Sequence, residues 1–187
     1  MPKTETFNKE QVINQAREVF HSKSYNATSM QDLVDATGLN RSSIYNSFGS
    51  KHELYLACLK SYQSDSRCKI ESIIHADTCS LKVLENIFSM NMNNSKGCLI
   101  NNCTSEMANQ DDIIRKFLTN NQKGMTGLFQ QIVQLGQEQG AINSNKSARE
   151  YALYLLATFQ GLSMANILEN DRKEIESIIT TTLSVLT

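Results

Sequence analysis

Residues 38–55 read GLNRSSIYNSFGSKHELY. The stretch holds four serines, two asparagines, an arginine and a lysine, and no acidic side chain before Glu53. Ile44 and Phe48, four apart, place one apolar stripe on a helix of about Arg41 to Ser47, and Asn40 stands where an N-cap belongs. Just upstream, Thr28 and Ser29 offer capping hydroxyls to another short helix, with Met30, Leu33 and Val34 facing inward. Gly38 ends it, because glycine reaches positive φ at no steric cost. Two short helices joined by a tight glycine turn, the second rich in polar side chains, form a helix-turn-helix pattern.

In that arrangement the second helix lies in the major groove of DNA and its leading residues meet base edges. Arg41 is placed to reach a guanine edge or a phosphate, and Ser42 and Ser43 are small enough for close approach. Asn46, one turn further, suits an adenine edge, and the Tyr45 hydroxyl suits a phosphate. Lys51 adds a phosphate contact at the start of the next helix, where the dipole also favours an anion. Thr28, Ser29 and Asn40, at the two helix starts, complete the expected DNA-contacting set. Short polar helices also occur as plain solvated surface, so spacing by itself leaves an all-α enzyme and a helical adaptor as alternatives.

The residues carry a resemblance that spacing does not. The run from Thr28 to Leu54, TSMQDLVDATGLNRSSIYNSFGSKHEL, resembles the N-terminal DNA-binding domain of TetR-family transcriptional regulators. Gly38, Tyr45, Phe48, Lys51 and Leu54 match that pattern in register, behind an amphipathic first helix and the link SKSYNATS. Arg41 stands where Lys is commoner, Ser42 where Gly is, and Ser47 where an aromatic or His is frequent; these departures bear on the operator sequence. The resemblance implies a homodimer that reads a palindromic operator on double-stranded DNA and loosens when a small ligand enters its C-terminal part.

Outward from this stretch the chain reads as helix throughout. Val12, Ile13, Ala16, Val19 and Phe20 mark a first helix of about Lys9 to Lys23, and Ser50 with Glu53 forms a capping box for a long fourth one. Leu54, Ala57, Cys58 and Tyr62 continue its stripe. Further apolar stripes are Leu81, Leu84, Ile87 and Phe88, then Cys98 to Met107, then Ile113 to Leu135. Tyr151 to Leu168 is apolar nearly all round, and a last helix carries Ile175, Ile178, Ile179, Leu183 and Leu186. The expectation is an all-α fold of about nine helices, with a three-helix DNA-binding domain at 1–52 and an effector-binding and dimerisation domain at 53–187. Helices near 147–170 and 172–186 are expected to form the homodimer interface, with Gly161 and Ala165 permitting close approach.

Composition narrows the classes. A 40% apolar and 20% charged chain of 187 residues has a real core, and a net charge of −1 excludes a bulk cationic nucleic-acid binder. Five cysteines without a Cys-x-x-Cys pair, and no apolar leader, point to reduced thiols and a cytoplasmic location with no membrane segment. No triad order, phosphate loop or cofactor motif argues for an enzyme, and no cofactor is expected. Cys68, His75 and Cys79 are zinc-type ligands without a closed four-ligand spacing, so no metal is expected either.

Residues 96–106, KGCLINNCTSE, resemble a G-C-L-x-x-N/K-x-x-x-E signature in a branch of the same family that includes regulators of electrophile and quinone defence. In some of those the Cys of G-C-L is a sensor, which would make Cys98 either a reactive thiol or a small apolar residue. Tyr62, Phe88, Met92, Cys98, Asn101, Asn102, Phe129, Tyr154 and Phe159 are the candidate contacts of an unidentified small-molecule effector, with Gln160 a further polar one.

Overall fold

The structure, a computed structural model, describes residues 7–93, 95–168 and 171–187. Three short helices form a head: α1 (Lys9–Lys23), α2 (Met30–Thr37) and α3 (Arg41–Phe48). From it α4 (Lys51–Ala76) runs into the rest of the chain. There follow α5 (Ser80–Ser89), a 3-10 turn over Met90–Asn93, α6 (Leu99–Met107), α7 (Asp112–Glu138), α8 (Ala148–Leu168) and α9 (Arg172–Ser184). Among the described residues there are nine α-helices and no strand, as expected; the expected end of the eighth helix, at 169–170, lies outside them.

Side chains near each helix start set its position. Asn8, Ser29, Asn40, Ser50 and Asp111 each accept the backbone N–H three residues on, satisfying a donor that the helix itself cannot. At Ser29 the Asp32 carboxylate returns the bond to the backbone, a full capping box. At Ser50 the Glu53 carboxylate accepts from the hydroxyl instead, at 3.1 Å. Gly38 closes α2 with φ 68°, its N–H on the Val34 carbonyl at 2.9 Å.

Two apolar cores hold the helices together. In the first, Phe20, Leu33, Ile44, Leu54 and Tyr55 pack with Leu99, Cys103 and Met107 of α6 and with Ile114 and Leu118 of α7. The head is therefore closed from below by α6, and its packing runs on past residue 52. In the second core, Leu84, Ile87 and Phe88 of α5 meet Phe129 and Val133 of α7, Leu155 and Leu156 of α8, and Ile175 and Ile179 of α9. Gly97 is required where α6 approaches α8: it takes φ 69°, and a Cβ there would lie 2.5 Å from the Ile167 side chain. Ile113, expected on the inner stripe of α7, is instead 61% exposed, while its neighbour Ile114 is fully buried.

α8 alone among the described helices is long and apolar enough by composition to cross a membrane. It packs against α7 over much of its length, burying Tyr151, Ala152, Leu155, Leu156 and Leu162. Its other side leaves Leu153, Tyr154, Met164 and Leu168 exposed, and α9 adds Ile178, with Val185 at its C-cap. Nothing lies within 4 Å of a Cβ built at Gly161, so this outer face is open.

Phe88, Phe129 and Phe159 form a ring cluster with centroids 5.5 to 6.2 Å apart in tilted and edge-to-face arrangements. Phe88 and Phe129 are fully buried, so both are core residues rather than effector contacts. Phe129→Ala should accordingly lower unfolding stability by about 3–5 kcal/mol, measured by chemical denaturation at fixed protein concentration; a change under ~1 kcal/mol would contradict this placement.

Candidate nucleic-acid interface and effector cleft

Ile44 is the one fully buried side chain of α3, and Phe48 packs beside it at the edge of the same core. That fixes which side faces out. Arg41, Ser42, Tyr45 and Asn46 are all exposed and share one face of the helix, because residues four apart stack one turn above another. Tyr45 is 45% exposed, a high value for an aromatic side chain. Ser43 is half-buried and gives its N–H to Asn40 Oδ1 at 2.8 Å. Among the described residues Arg41 enters none of the ion pairs, so its guanidinium is not committed to a carboxylate.

The rest of the predicted set divides. Ser29 is exposed, but its hydroxyl donates to Asp32 at 2.8 Å. Thr28 is a correction: it is 2% exposed and its hydroxyl donates to the Ser24 carbonyl at 2.5 Å, so it has no free face for a phosphate. Lys51 sits with its ammonium 4.4 Å above the Tyr25 ring, and partial burial lowers its pKa. Tyr25 in turn packs on Tyr55, the two rings tilted by 37° with centroids 4.9 Å apart. Sequence reasoning missed this platform, although Tyr25 lies in the quoted SKSYNATS link. Lys9 was missed as well; its ammonium lies 5.5 Å over the Phe48 ring at the end of α3.

The N-terminus of α2 is locked electrostatically. Lys23 bonds Asp32 at 2.7 Å and, with the Ser29 N–H and hydroxyl, holds the Asp32 carboxyl down at about 2.

A cleft of about 1030 Å³ opens between α4, α7 and α8, at the upper end of the roughly 300–1,000 Å³ typical of small-molecule sites. Its apolar wall includes Ile70 and Ile74 of α4, Met125, Leu128 and Ile132 of α7, and Leu156 and Phe159 of α8. Of the predicted effector contacts, Tyr62, Cys98, Asn101 and Phe159 line it, as does Gln160. The others do not. Asn102 donates to the Lys96 carbonyl at 3.1 Å, Tyr154 faces outward, and Met92 packs on the second core while Met90 takes its place in the wall. The 3-10 turn shifts the helical register by which Met92 was chosen. Arg17 and His21 from α1 were missed altogether.

The charges inside the cleft are largely paired. Arg17 bonds Asp65 at 2.5 Å, and Lys96 bonds Glu18 at 3.0 Å. His21 Nε2 lies 2.9 Å from the Gly97 carbonyl, and burial pushes its imidazole below the usual range, towards the neutral form. Burial first, and then the Cys98 thiol beside it, raise Tyr62. Cys98 is half-buried at the N-cap of α6, making no side-chain capping bond. Burial pushes Cys58 up to about 12 and Cys103 up to about 11, so both stay thiols at neutral pH and neither is set up to resolve an oxidised Cys98. Among the described residues no group of three or more His, Cys, Asp or Glu side chains comes together to hold a metal, His75 and Cys79 included.

Residues 12–58 match the family profile described as bacterial regulatory proteins, tetR family, and residues 82–182 match the tetracyclin repressor-like C-terminal domain. The chain belongs to the TetR family. It is therefore a DNA-binding transcriptional regulator and not an enzyme. Among its relatives, the HTH-type transcriptional regulator YezE of Bacillus subtilis (strain 168) is 25% identical over all of both chains. The HTH-type transcriptional repressor DhaR of Mycobacterium sp. (strain GP1) is also 25% identical, over 95% of this chain and 91% of that one. The fold superimposes with a TM-score of 0.88 on a cysteine mutant of the TetR-family regulator CifR complexed with 26-base-pair operator DNA, at 17% identity, covering 99% and 100% of the two chains.

In a TetR reading head the α2–α3 unit must be rigid, and the Lys23–Asp32 lock makes a clear expectation. A carboxyl with depressed pKa stabilises the fold fully above its unfolded value near ~4, and the contribution is lost as pH falls through about 2. Carbon-13 NMR titration should find Asp32 titrating near 2, and Lys23→Ala should move it back towards the ordinary carboxylate range. An Asp32 that titrates normally in the unmutated chain would contradict the lock.

Proposed function

We propose that the protein is a transcriptional repressor that binds a palindromic operator as a homodimer and is released by a small-molecule or electrophilic effector. Residues 1–52 act as the reading head, and residues 53–187 bind the effector and the second copy. The observation that carries the reading is the outward face of α3, where Arg41, Ser42, Tyr45 and Asn46 stand exposed on a helix pinned by Ile44. Asn40 caps that helix and Ser43 receives the cap, so their part is to aim the face as much as to touch DNA. Lys51, poised on Tyr25 at the start of α4, supplies a phosphate contact beside it.

The dimer forms through the open apolar face of α8 and α9, where Leu153, Tyr154, Met164, Leu168, Ile178 and Val185 would otherwise meet water. A two-fold axis there sets two copies of α3 at one separation. An effector in the cleft then acts by preferring the arrangement that does not span the operator, since only differential affinity shifts such an equilibrium. The site of action is the cytoplasm, where the operator is.

Gel retardation on genomic fragments tests the DNA-binding claim. Arg41→Ala and Tyr45→Ala should each abolish specific retardation, and Lys51→Ala should weaken binding to all sequences and reduce the salt slope by about 1. Specific retardation that survives both α3 substitutions would overturn the reading. For the effector, Cys98→Ser should no longer let go of DNA when treated with an electrophile such as N-ethylmaleimide. Release of that variant at the same dose would remove Cys98 from the response and leave the cleft as a non-covalent site.

A further inference from the structure

We propose that Glu106 is the positioning residue of the reading head, fixing the angle at which α3 is presented to DNA. The proposal rests on the DNA-binding reading above but concerns a residue that touches neither DNA nor effector. The Glu106 carboxylate straddles two successive backbone amides of the α1–α2 turn: Tyr25 N–H donates to one oxygen at 2.9 Å and Asn26 N–H to the other at 2.7 Å. That turn begins at Ser24, whose φ of 66° is a costly conformation for a residue with a side chain, so it needs support from outside itself. A charge-assisted, two-point acceptor is the strongest support a side chain can give two N–H groups.

A second grip lies beside the first. His52 Nε2, in the first turn of α4, meets Asp111 Oδ2 at 2.7 Å, and Asp111 is also the N-cap of α7. The carboxylates at the end of α6 and the start of α7 thus hold the head at two places, with the Tyr25 ring between them, edge-on to His52 at 6.4 Å. Glu106 is in the last turn of α6, where the helix dipole disfavours a negative charge and the turn itself holds no basic residue; the Lys51 ammonium of α4 attracts it from across the joint. Intrinsic helix preference therefore does not account for an acid at this position, whereas the two amides do.

The consequence is functional. A palindrome is read at one half-site spacing only if each head is rigid against its body. Losing Glu106 should leave α3 intact and its base contacts available, but free the head to swivel.

The test uses a palindromic duplex selected by the unmutated chain from a randomised pool, resynthesised with one base pair added or removed between half-sites. The unmutated chain should discriminate against both altered duplexes by roughly tenfold or more, because each added pair rotates one half-site by about a tenth of a turn. Glu106→Ala should bring all three duplexes to within about threefold of one another, while Lys51→Ala, which loses a phosphate contact, should weaken all three alike. Glu106→Gln keeps one acceptor oxygen and should fall between. Should Glu106→Ala not fold, the Glu106→Gln comparison decides, together with amide exchange at Tyr25 and Asn26, which should quicken in that variant. A fully selective Glu106→Ala, or a Glu106→Gln as selective and as protected at those amides as the unmutated chain, overturns the role of Glu106. An unmutated chain that selects no duplex overturns the DNA-binding reading itself.

Discussion

The burial of Ile44 is the contact on which the rest depends. An eight-residue helix is too short to persist alone in water, where marginal stability needs ~12–15 residues. α3 exists because one side chain is sunk between α1, α2 and α4, and because Asn40 supplies its first hydrogen-bond acceptor. With so few anchors, each decides direction as well as stability. The same geometry that buries Ile44 turns Arg41, Ser42, Tyr45 and Asn46 outward, and the flanking rings of Phe48 and Tyr25 hold the Lys9 and Lys51 cations at the ends of that surface.

The head is not separable from the body it serves. Its core takes Leu99, Cys103 and Met107 from α6, and its polar joints reach across to Glu106, Asp111, Glu18–Lys96 and Arg17–Asp65. Exposed ion pairs such as Glu18–Lys96 contribute little stability in water, so the joint depends more on the carboxylate–amide bonds and the ring stack around Tyr25. The nine residues of α6 border the cleft at Ile100 and Asn101 and reach the α1–α2 turn at Glu106. Cleft and head share one short rigid helix.

What the sequence made legible was local. Ser29, Asn40, Ser50 and Gly38 act within three or four residues of themselves, so their roles could be read from spacing, and α1 was placed end for end. Stripes gave the core, since Leu33, Ile44, Leu54, Leu84 and Phe20 recur at helical intervals. What stayed hidden was which side of an apolar helix meets which neighbour. Phe88, Phe129 and Phe159 look alike in sequence, yet two support the third from behind; Tyr154 faces out, and Met90 rather than Met92 reaches the cleft. Thr28 misled because a hydroxyl at a helix start bonded backward to Ser24 instead of forward to solvent. Glu106 closes the G-C-L signature in the sequence, yet its role stayed hidden because its partners are backbone amides eighty residues away.

Methylation interference on a bound operator tests the central claim most directly. Methyl groups at guanine N7 project into the major groove and those at adenine N3 into the minor groove, so the pattern reports which groove α3 occupies. A pair of α3 helices in the major groove gives interference at N7 in two patches, related by two-fold symmetry and separated by whole turns of about 10–10.5 base pairs on one face of the duplex. Interference confined to N3, or a single N7 patch with no symmetric counterpart, would contradict a pair of α3 helices reading the major groove.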